Sequence, residues 1–146
     1  MPQLKHLEKF KLLLDTHVWI WLINGNTELS SQFIKNIDLH ETERMIYLSA
    51  ISIWEIGMFV EKKRLQLDRD PLDWIETVLE YPNVELLPIT PKIAIESSRL
   101  SGHFHGDPAD RLLIATAQEL RGILVTADQK IIDYSKNSLL KTYYPC

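Results

Sequence analysis

The 22 residues from Asp107 to Asp128, DPADRLLIATAQELRGILVTAD, combine a helix, a tight turn and a strand. Asp107-Pro108 is typical of a helix start, because aspartate caps free backbone N–H groups and proline fits the first turn. Gly122 is typical of the end of that helix, and the apolar run Ile123–Thr126 predicts a buried strand. Because the turn is tight, the helix and the strand run antiparallel. The start of the helix therefore lies beside the carboxyl end of the strand.

The same alternation of strand and helix occurs upstream. Short apolar runs predict three further strands, Phe10–Leu14, Met45–Leu48 and Val84–Ile89, and Leu139–Tyr143 is a candidate for a fifth strand at the sheet edge. This alternation predicts an α/β fold in which helices on both faces cover a central, mostly parallel sheet of four or five strands. We predict a single domain over residues 1–146, with residues 1–9 as an N-terminal extension.

Composition restricts the class of protein. The chain has 146 residues, of which 45% are hydrophobic and 25% charged, so it can form one ordinary domain with a sizeable core. Its single cysteine, Cys146, permits no internal disulfide and is compatible with a cytoplasmic location, which we predict. The longest apolar stretch, Val18–Ile23, is too short to span a membrane, so we expect no membrane partner. The net charge of −4 counts weakly against a nucleic-acid partner.

Four acidic residues are predicted to lie at one edge of the sheet. Asp15 and Asp128 directly follow strands. Glu55 lies within the first two turns of a helix that leaves the same edge, and Asp110 is in the first turn of the helix that begins at Asp107. Ligands of parallel α/β folds bind beyond the carboxyl ends of the strands. Crowded carboxylates repel one another, and a divalent cation reverses the sign of that energy.

Each acid also has a purely structural explanation. Asp15 and Asp128 can cap helices, and Glu55 completes a capping-box pattern with Ser52. Asp110 suits the first turn of a helix, where the dipole favours an anion. Capping does not require four carboxylates at one edge, however, and oxygen ligands select Mg²⁺ or Mn²⁺ over zinc. Such ions activate water and neutralise the oxyanions of phosphoryl displacement. Our hypothesis is a metal-dependent phosphodiesterase, foremost a ribonuclease, in which the four acids are both metal ligands and catalytic residues.

Other polar and aromatic residues have more than one interpretation. Arg111 can steady a phosphate or form an ordinary salt bridge on its helix, and Thr126 can bond to a carboxylate or to a water on the metal. His103 and His105 suggest zinc, but the partner ligands are missing, so we interpret them as surface histidines or as histidines beside the site. We predict that the tryptophans belong to the core rather than to base-stacking surfaces; they are Trp19, Trp21, Trp54 and Trp74.

Four sequence blocks carry a family resemblance. They are LLLDTH at 12–17, SIWEI at 52–56, DPADRLLIA at 107–115 and LVTAD at 124–128. In this order they resemble PIN domains and, more narrowly, the VapC-type toxins of bacterial toxin–antitoxin pairs. The likeness covers about residues 11–143. It implies a three-layer PIN fold and a Mg²⁺- or Mn²⁺-dependent endoribonuclease whose family acids correspond to Asp15, Glu55, Asp110 and Asp128.

The resemblance also has implications for partners. It implies homodimers, an RNA substrate such as tRNA, and a cognate antitoxin protein that inserts a segment into the active groove. Asp107 and Thr16 lie inside the matching blocks. We expect both to lie next to the metal ligands or to contact the substrate, and Asp107 can also cap its helix.

Two positions depart from the family pattern. Ala109 stands where phenylalanine is common, and Phe59 lies near the place of a common lysine. These departures leave open an alternative, a catalytically silent PIN module that acts through RNA or protein binding. A phosphoacceptor receiver domain would also gather acids behind parallel strands. It needs an aspartate after the third strand, however, and residues 88–90 offer none.

Overall fold

The computed structural model describes residues 11–25, 28–37, 45–102 and 104–146. The extension predicted for residues 1–9 lies outside the described residues, as does His103. The described strands are β1 Leu12–Leu14, β2 Ile46–Ser49, β3 Val84–Leu87, β4 Ile123–Val125 and β5 Lys141–Tyr143. The described helices are α1 Thr16–Asn24, α2 Ser31–Asn36, α3 Ala50–Glu61, α4 Pro71–Leu79, α5 Pro91–Ser97, α6 Pro108–Leu120 and α7 Gln129–Ser135.

The five strands form one sheet in the order β3-β2-β1-β4-β5, and every pairing in it is parallel. This confirms the predicted α/β class and the fifth strand at the edge. The chain moves outward from β1 to β3 and then returns to place β4 on the other side of β1. A crevice forms where the strand order reverses in this way, outside the carboxyl ends of the strands. The ends of β1 and β4 therefore position the candidate site.

Two apolar clusters cover the two faces of the sheet. Side chains alternate along a strand, so Leu12 and Leu14 join the cluster that contains Trp19, while Leu13 joins the cluster that contains Leu113. The first cluster packs beneath α1, α3 and α4, and the second packs beneath α6 and α7. These are the predicted three layers. No helix in the described ranges is long and apolar enough to cross a membrane.

The connection from α6 to β4 is as tight as the sequence indicates, but the roles of its residues differ. Arg121 adopts the left-handed conformation that ends the helix, with a φ of 55°. Gly122 is required for another reason, because a Cβ on it would lie 2.6 Å from the backbone oxygen of Lys11. The next N–H, that of Ile123, donates to the same oxygen at 2.8 Å. Glycine thus lets β4 approach β1 closely.

One core prediction was wrong. The side chain of Trp54 is 58% exposed, whereas Trp19 and Trp74 are buried. Helix α3 buries the face that carries Ser52, Glu55 and Ile56, and Trp54 points away from that face. A helical spacing identifies faces, but it does not say which neighbouring element covers each one.

Candidate active site

The Asp15 carboxylate lies directly beyond the end of β1, and both of its oxygens are held. Oδ1 accepts a hydrogen bond from the backbone N–H of Thr16 at 2.7 Å, and Oδ2 accepts one from the hydroxyl of Thr126 at 2.7 Å. The Thr126 hydroxyl oxygen in turn accepts from the N–H of Asp128 at 3.1 Å. Asp15 also caps α1 and Asp128 caps α7, so the structural and functional interpretations of these residues coexist. Strand β4 thus orients an acid that belongs to β1.

Glu55 reaches the same edge from α3, and the residue as a whole is 9% exposed. The Thr16 hydroxyl oxygen lies 2.6 Å from Glu55 Oε1 and 2.8 Å from Ser52 Oγ. A hydroxyl has a single proton, and the shorter of the two contacts, the one to the carboxylate, identifies Glu55 as its main acceptor. The capping-box explanation of Glu55 was wrong, because Ser49 caps α3 and Ser52 lies inside the helix. A continuous chain of hydrogen bonds therefore runs from Asp128 through Asp15 to Glu55.

Asp110 and Asp107 come from the start of α6. Asp107 caps the helix, and its Oδ1 accepts from the N–H of Asp110 at 2.9 Å. Burial, as the largest cause, and the negative charges of nearby acids together raise the pKa of Asp110 to about 7; these acids are Asp107, Asp15, Asp128 and Glu55. Every acid predicted for the site thus acts on Asp110. Helix α6 does bring its first turn to the ends of β1 and β4.

The pKa values of Asp15 and Glu55 are also raised, chiefly by burial. The hydrogen bond from Thr126 lowers the pKa of Asp15 in part, and that from Thr16 does the same for Glu55. Nearby His17 lowers both values as well. This histidine is exposed, and its ring lies 5.7 Å from that of Phe59. Sequence reasoning missed its electrostatic role, although its position two residues after Asp15 was a signal.

Arg111 has a different neighbourhood from the one that its position beside Asp110 suggested. Its Nε donates to the backbone oxygen of Ser97 at 3.0 Å, and its Nη1 donates to that of Phe104 at 2.6 Å. The guanidinium therefore ties the end of α5 and the following loop to α6. We assign Arg111 to the support of that loop.

The chemistry of the donor set suits a hard divalent cation. Four carboxylates lie at one edge, and all their donor atoms are oxygens. Burial and the repulsion of neighbouring acids raise the pKa values of three of them, Asp15, Glu55 and Asp110. Within the part of the chain that the structure describes, no three His, Cys, Asp or Glu side chains converge tightly enough to form a ready-made metal cage. Repulsion opposes closer approach, and a divalent cation would remove that repulsion. The residues therefore fit such an ion, with some convergence of the carboxylates required.

Comparison with known proteins gives a family and a fold. The PIN domain family profile matches residues 12–137. Ribonuclease VapC22 of Mycobacterium tuberculosis is 37% identical over 120 residues, which is 82% of this chain and 88% of that protein.

Solved structures show the same architecture. The DNA-bound VapBC of Salmonella typhimurium superposes with a TM-score of 0.66 at 19% identity, over 94% of this chain and 99% of that chain. VapBC2 of Rickettsia felis, bound to a fragment of its promoter, gives 0.65 at 18% identity, over 91% and 97%. A toxin–antitoxin complex from Klebsiella pneumoniae gives 0.61 at 21% identity, over 92% and 98%. At these identities the superpositions establish the fold.

Proposed function

We propose that this chain, which belongs to the PIN domain family, is an endoribonuclease that hydrolyses RNA phosphodiester bonds at its carboxylate cluster. Within the family it belongs with the VapC ribonucleases, as its relative in Mycobacterium tuberculosis does. The observation that carries the proposal is the meeting of Asp15, Glu55, Asp110 and Asp128 at the point where the strand order reverses. Such a site lies open to an extended substrate beyond the sheet.

We assign the binding of Mg²⁺ or Mn²⁺ to these four acids. When bound, a divalent ion activates water and stabilises the negative charge that builds up on the phosphate during in-line displacement. The chain's own contribution is the orientation of the carboxylates. Thr126 fixes Asp15 and Thr16 fixes Glu55, so two of the acids are held in place before any ligand arrives.

The remaining site residues shape the approach of the substrate. Asp107 caps α6 and thereby fixes the first turn that carries Asp110. His17 is exposed beside Asp15 and Glu55 and packs against Phe59, so it is placed to meet a phosphate at the mouth of the site. RNA carries one phosphate per nucleotide, and a cation bound among the acids offsets their repulsion of that chain.

Partners follow from the family. We propose a cognate antitoxin as the inhibitory partner, because the structural neighbours include VapBC complexes. We propose a homodimer as the free form, as the resemblance to VapC-type toxins implies. Co-expression with the product of a small neighbouring gene, followed by affinity purification and light scattering, would test both. Recovery of the chain as a lone monomer in both preparations would contradict these assignments.

The function itself is tested by cleavage of pooled cellular RNA with purified protein. We expect cleavage with Mg²⁺ or Mn²⁺, none with EDTA, and loss of activity in Asp110→Asn. Cleavage that persists in EDTA would reject metal dependence. Cleavage that Asp110→Asn leaves unchanged would reject the assignment of the site.

A silent PIN module remains the alternative, on the basis of two residues. Ala109 is buried at the start of α6, and Phe59 contacts His17 where a basic residue is common in the family. This alternative predicts RNA or partner binding without cleavage of any RNA, with either metal. The same experiment therefore separates the two.

A further inference from the structure

A cavity of about 580 Å³ lies between the loop that precedes α6 and helix α7. Its volume falls within the range of roughly 300–1,000 Å³ that is usual for small-ligand sites. The residues of its lining that matter here are Ser101, Phe104, Lys130, Asp133, Tyr134 and Asn137. The proposed catalytic residues form no part of this lining.

Each wall of the cavity is connected in the chain to an acid of the site. Helix α7 starts with its cap Asp128, and the N–H of Lys130 donates to Asp128 Oδ1 at 2.9 Å. The loop on the other wall leads directly into Asp107, the cap of α6. The cavity is therefore lined by the two segments of chain that carry Asp128 and Asp107, so an RNA whose phosphate lies at the acids can extend towards it.

The loop wall is fixed in position. Phe104 is buried, and a Cβ on Gly106 would lie 2.0 Å from its ring, so only glycine allows the ring to fold back over the loop. Arg111 donates to the Phe104 backbone oxygen at 2.6 Å. The hydroxyl of Tyr134 donates to the backbone oxygen of Ser101 at 2.6 Å and ties the loop to α7.

Tyr134 thereby becomes a fixed aromatic surface in the cavity. Its hydroxyl is held by Ser101, and the Phe104 ring meets it edge to face at a centroid distance of 5.3 Å. A ring held by its hydroxyl and by a neighbouring ring loses little freedom when a base stacks on it. Tyr134 is also half-buried and lines the cavity.

The charge of the cavity suits a phosphate. Lys130 is exposed, and in the described ranges no carboxylate forms a salt bridge with it. The one acid of the lining, Asp133, is already engaged, because its Oδ1 accepts from Gln129 Nε2 at 2.7 Å and from Lys136 Nζ at 3.4 Å. Asn137 adds an amide that can pair with the polar edge of a base. The cavity thus combines an aromatic ring, a cation and an amide.

We propose that this cavity is a nucleotide subsite, in which Tyr134 stacks an unpaired base of the RNA and Lys130 binds its phosphate. The inference rests on the proposed function, and it narrows the substrate to RNA with an unstacked nucleotide next to the scissile bond. Double-stranded RNA keeps its bases stacked and cannot supply this group.

The test measures binding of a short single-stranded oligoribonucleotide, with Mg²⁺ present, to Asp15→Asn protein so that no turnover interferes. Adding Tyr134→Ala should weaken binding roughly 5- to 50-fold, as expected for the loss of one base–aromatic stack. Tyr134→Phe keeps the ring and should stay within about threefold. Lys130→Ala should weaken binding and reduce the slope of log K against log salt by about 0.7, the value for one phosphate on a single strand.

Matched controls lie elsewhere on the surface. Lys92→Ala removes an exposed lysine paired with Glu119, and Tyr144→Ala removes an exposed tyrosine near the chain end. Neither should change affinity or salt slope. A melting temperature for each variant shows that it is folded, and Lys130→Ala, an exposed position, preserves the test should Tyr134→Ala fail to fold.

The outcomes separate this inference from the function on which it rests. If wild-type protein cleaves RNA while Lys130→Ala and both Tyr134 variants match the controls, the subsite is rejected and the ribonuclease stands. If nothing is cleaved but binding depends on Tyr134 and Lys130, the subsite stands and the ribonuclease is rejected. Equal affinity for a duplex and a single strand would also overturn the subsite.

Discussion

The hydroxyl of Thr126, at the end of β4, donates a 2.7 Å hydrogen bond to Oδ2 of Asp15, at the end of β1. The two residues are 111 positions apart in the chain and meet because β1 and β4 pair in parallel. This bond joins the two halves of the sheet at the point where the strand order reverses. The orientation of the most buried acid of the site therefore depends on a neighbouring strand.

Replacing Thr126 with valine keeps a similar side-chain volume but removes two hydrogen bonds, the one to Asp15 and the one that the hydroxyl accepts from the Asp128 N–H. Leaving the buried carboxylate short of one donor should lower the free energy of unfolding by about 1–3 kcal/mol. The Thr126 bond lowers the pKa of Asp15, so its loss should raise that pKa and shift the rise of cleavage with pH to higher pH. Thr126→Ser restores the hydroxyl and should recover both properties. Identical pH profiles for the valine and wild-type proteins would contradict a positioning role.

Asp15→Asn should abolish RNA cleavage and leave the fold intact. The amide keeps the shape of the side chain but removes a charge that we assign to cation binding, and losses of about a hundredfold or more are expected. The melting temperature should stay equal or rise, because burial already disfavours the ionised form of this group. Asp73→Asn, an exposed residue in the first turn of α4, is the matched control for cleavage and circular dichroism. Full cleavage activity in pure Asp15→Asn protein would contradict the assignment of Asp15 to the active site.

Two glycines provide opposite tests of packing. Gly122→Ala would place a Cβ 2.6 Å from the Lys11 backbone oxygen, where β1 and β4 pair, and should destabilise the protein by about 2 kcal/mol or more. Gly57 lies inside α3 with no atom near its Cβ position, so Gly57→Ala should stabilise by about 0.5–1 kcal/mol. Urea unfolding of the two variants and wild type measures both changes. If both substitutions changed the free energy of unfolding by the same amount, the close approach of β1 and β4 at Gly122 would not contribute to stability.

Strands β1, β2 and β4 could be read from the sequence because each is a short, mainly apolar run that is buried on both sides. Leu12–Leu14 and Ile123–Val125 are wholly buried, and no polar residue interrupts either apolar run. The tight turn at Gly122 then placed Asp110 near Asp128, since a helix joined to a strand by such a turn must run back along it. Boundaries were less accurate: β3 ends at Leu87, earlier than the predicted Ile89.

Contacts between distant residues could not be read in the same way. Arg111 faces the loop after α5 because two backbone oxygens lie there, and no local pattern encodes them. The exposure of Trp54 depends on which helices pack against α3, and the choice between Ser49 and Ser52 as its cap depends on where β2 ends. These features arise from the tertiary arrangement, and the preferences of single residues carry little information about it.

The crowding of carboxylates also predicts an unusual dependence of stability on pH. The pKa of Asp110 is about 7 in the folded chain, against an ordinary value of 3.8. Between these two pH values the folded state binds more protons than the unfolded state, so the free energy of unfolding falls as pH rises through that window. Asp15 and Glu55, whose pKa values are also raised, act in the same direction. Because Asp110 is partly exposed, solvent screening should limit its share to about 1–3 kcal/mol.

Urea unfolding at pH 4.5 and pH 7.5 in EDTA measures the fall in the free energy of unfolding between the two pH values. In Asp110→Asn this fall should be smaller, because the contribution of Asp110 is removed. Asp73→Asn, which changes an exposed acid of α4, should leave the difference between the two pH values unchanged. Millimolar Mg²⁺ should restore stability at pH 7.5, because a cation that binds only the folded state stabilises it by mass action. It should restore little in Asp110→Asn, where one proposed ligand is gone. If Mg²⁺ raised the free energy of unfolding equally in wild type and in Asp110→Asn, the ion would bind elsewhere. Its effect would then not come from relief of the repulsion between these acids.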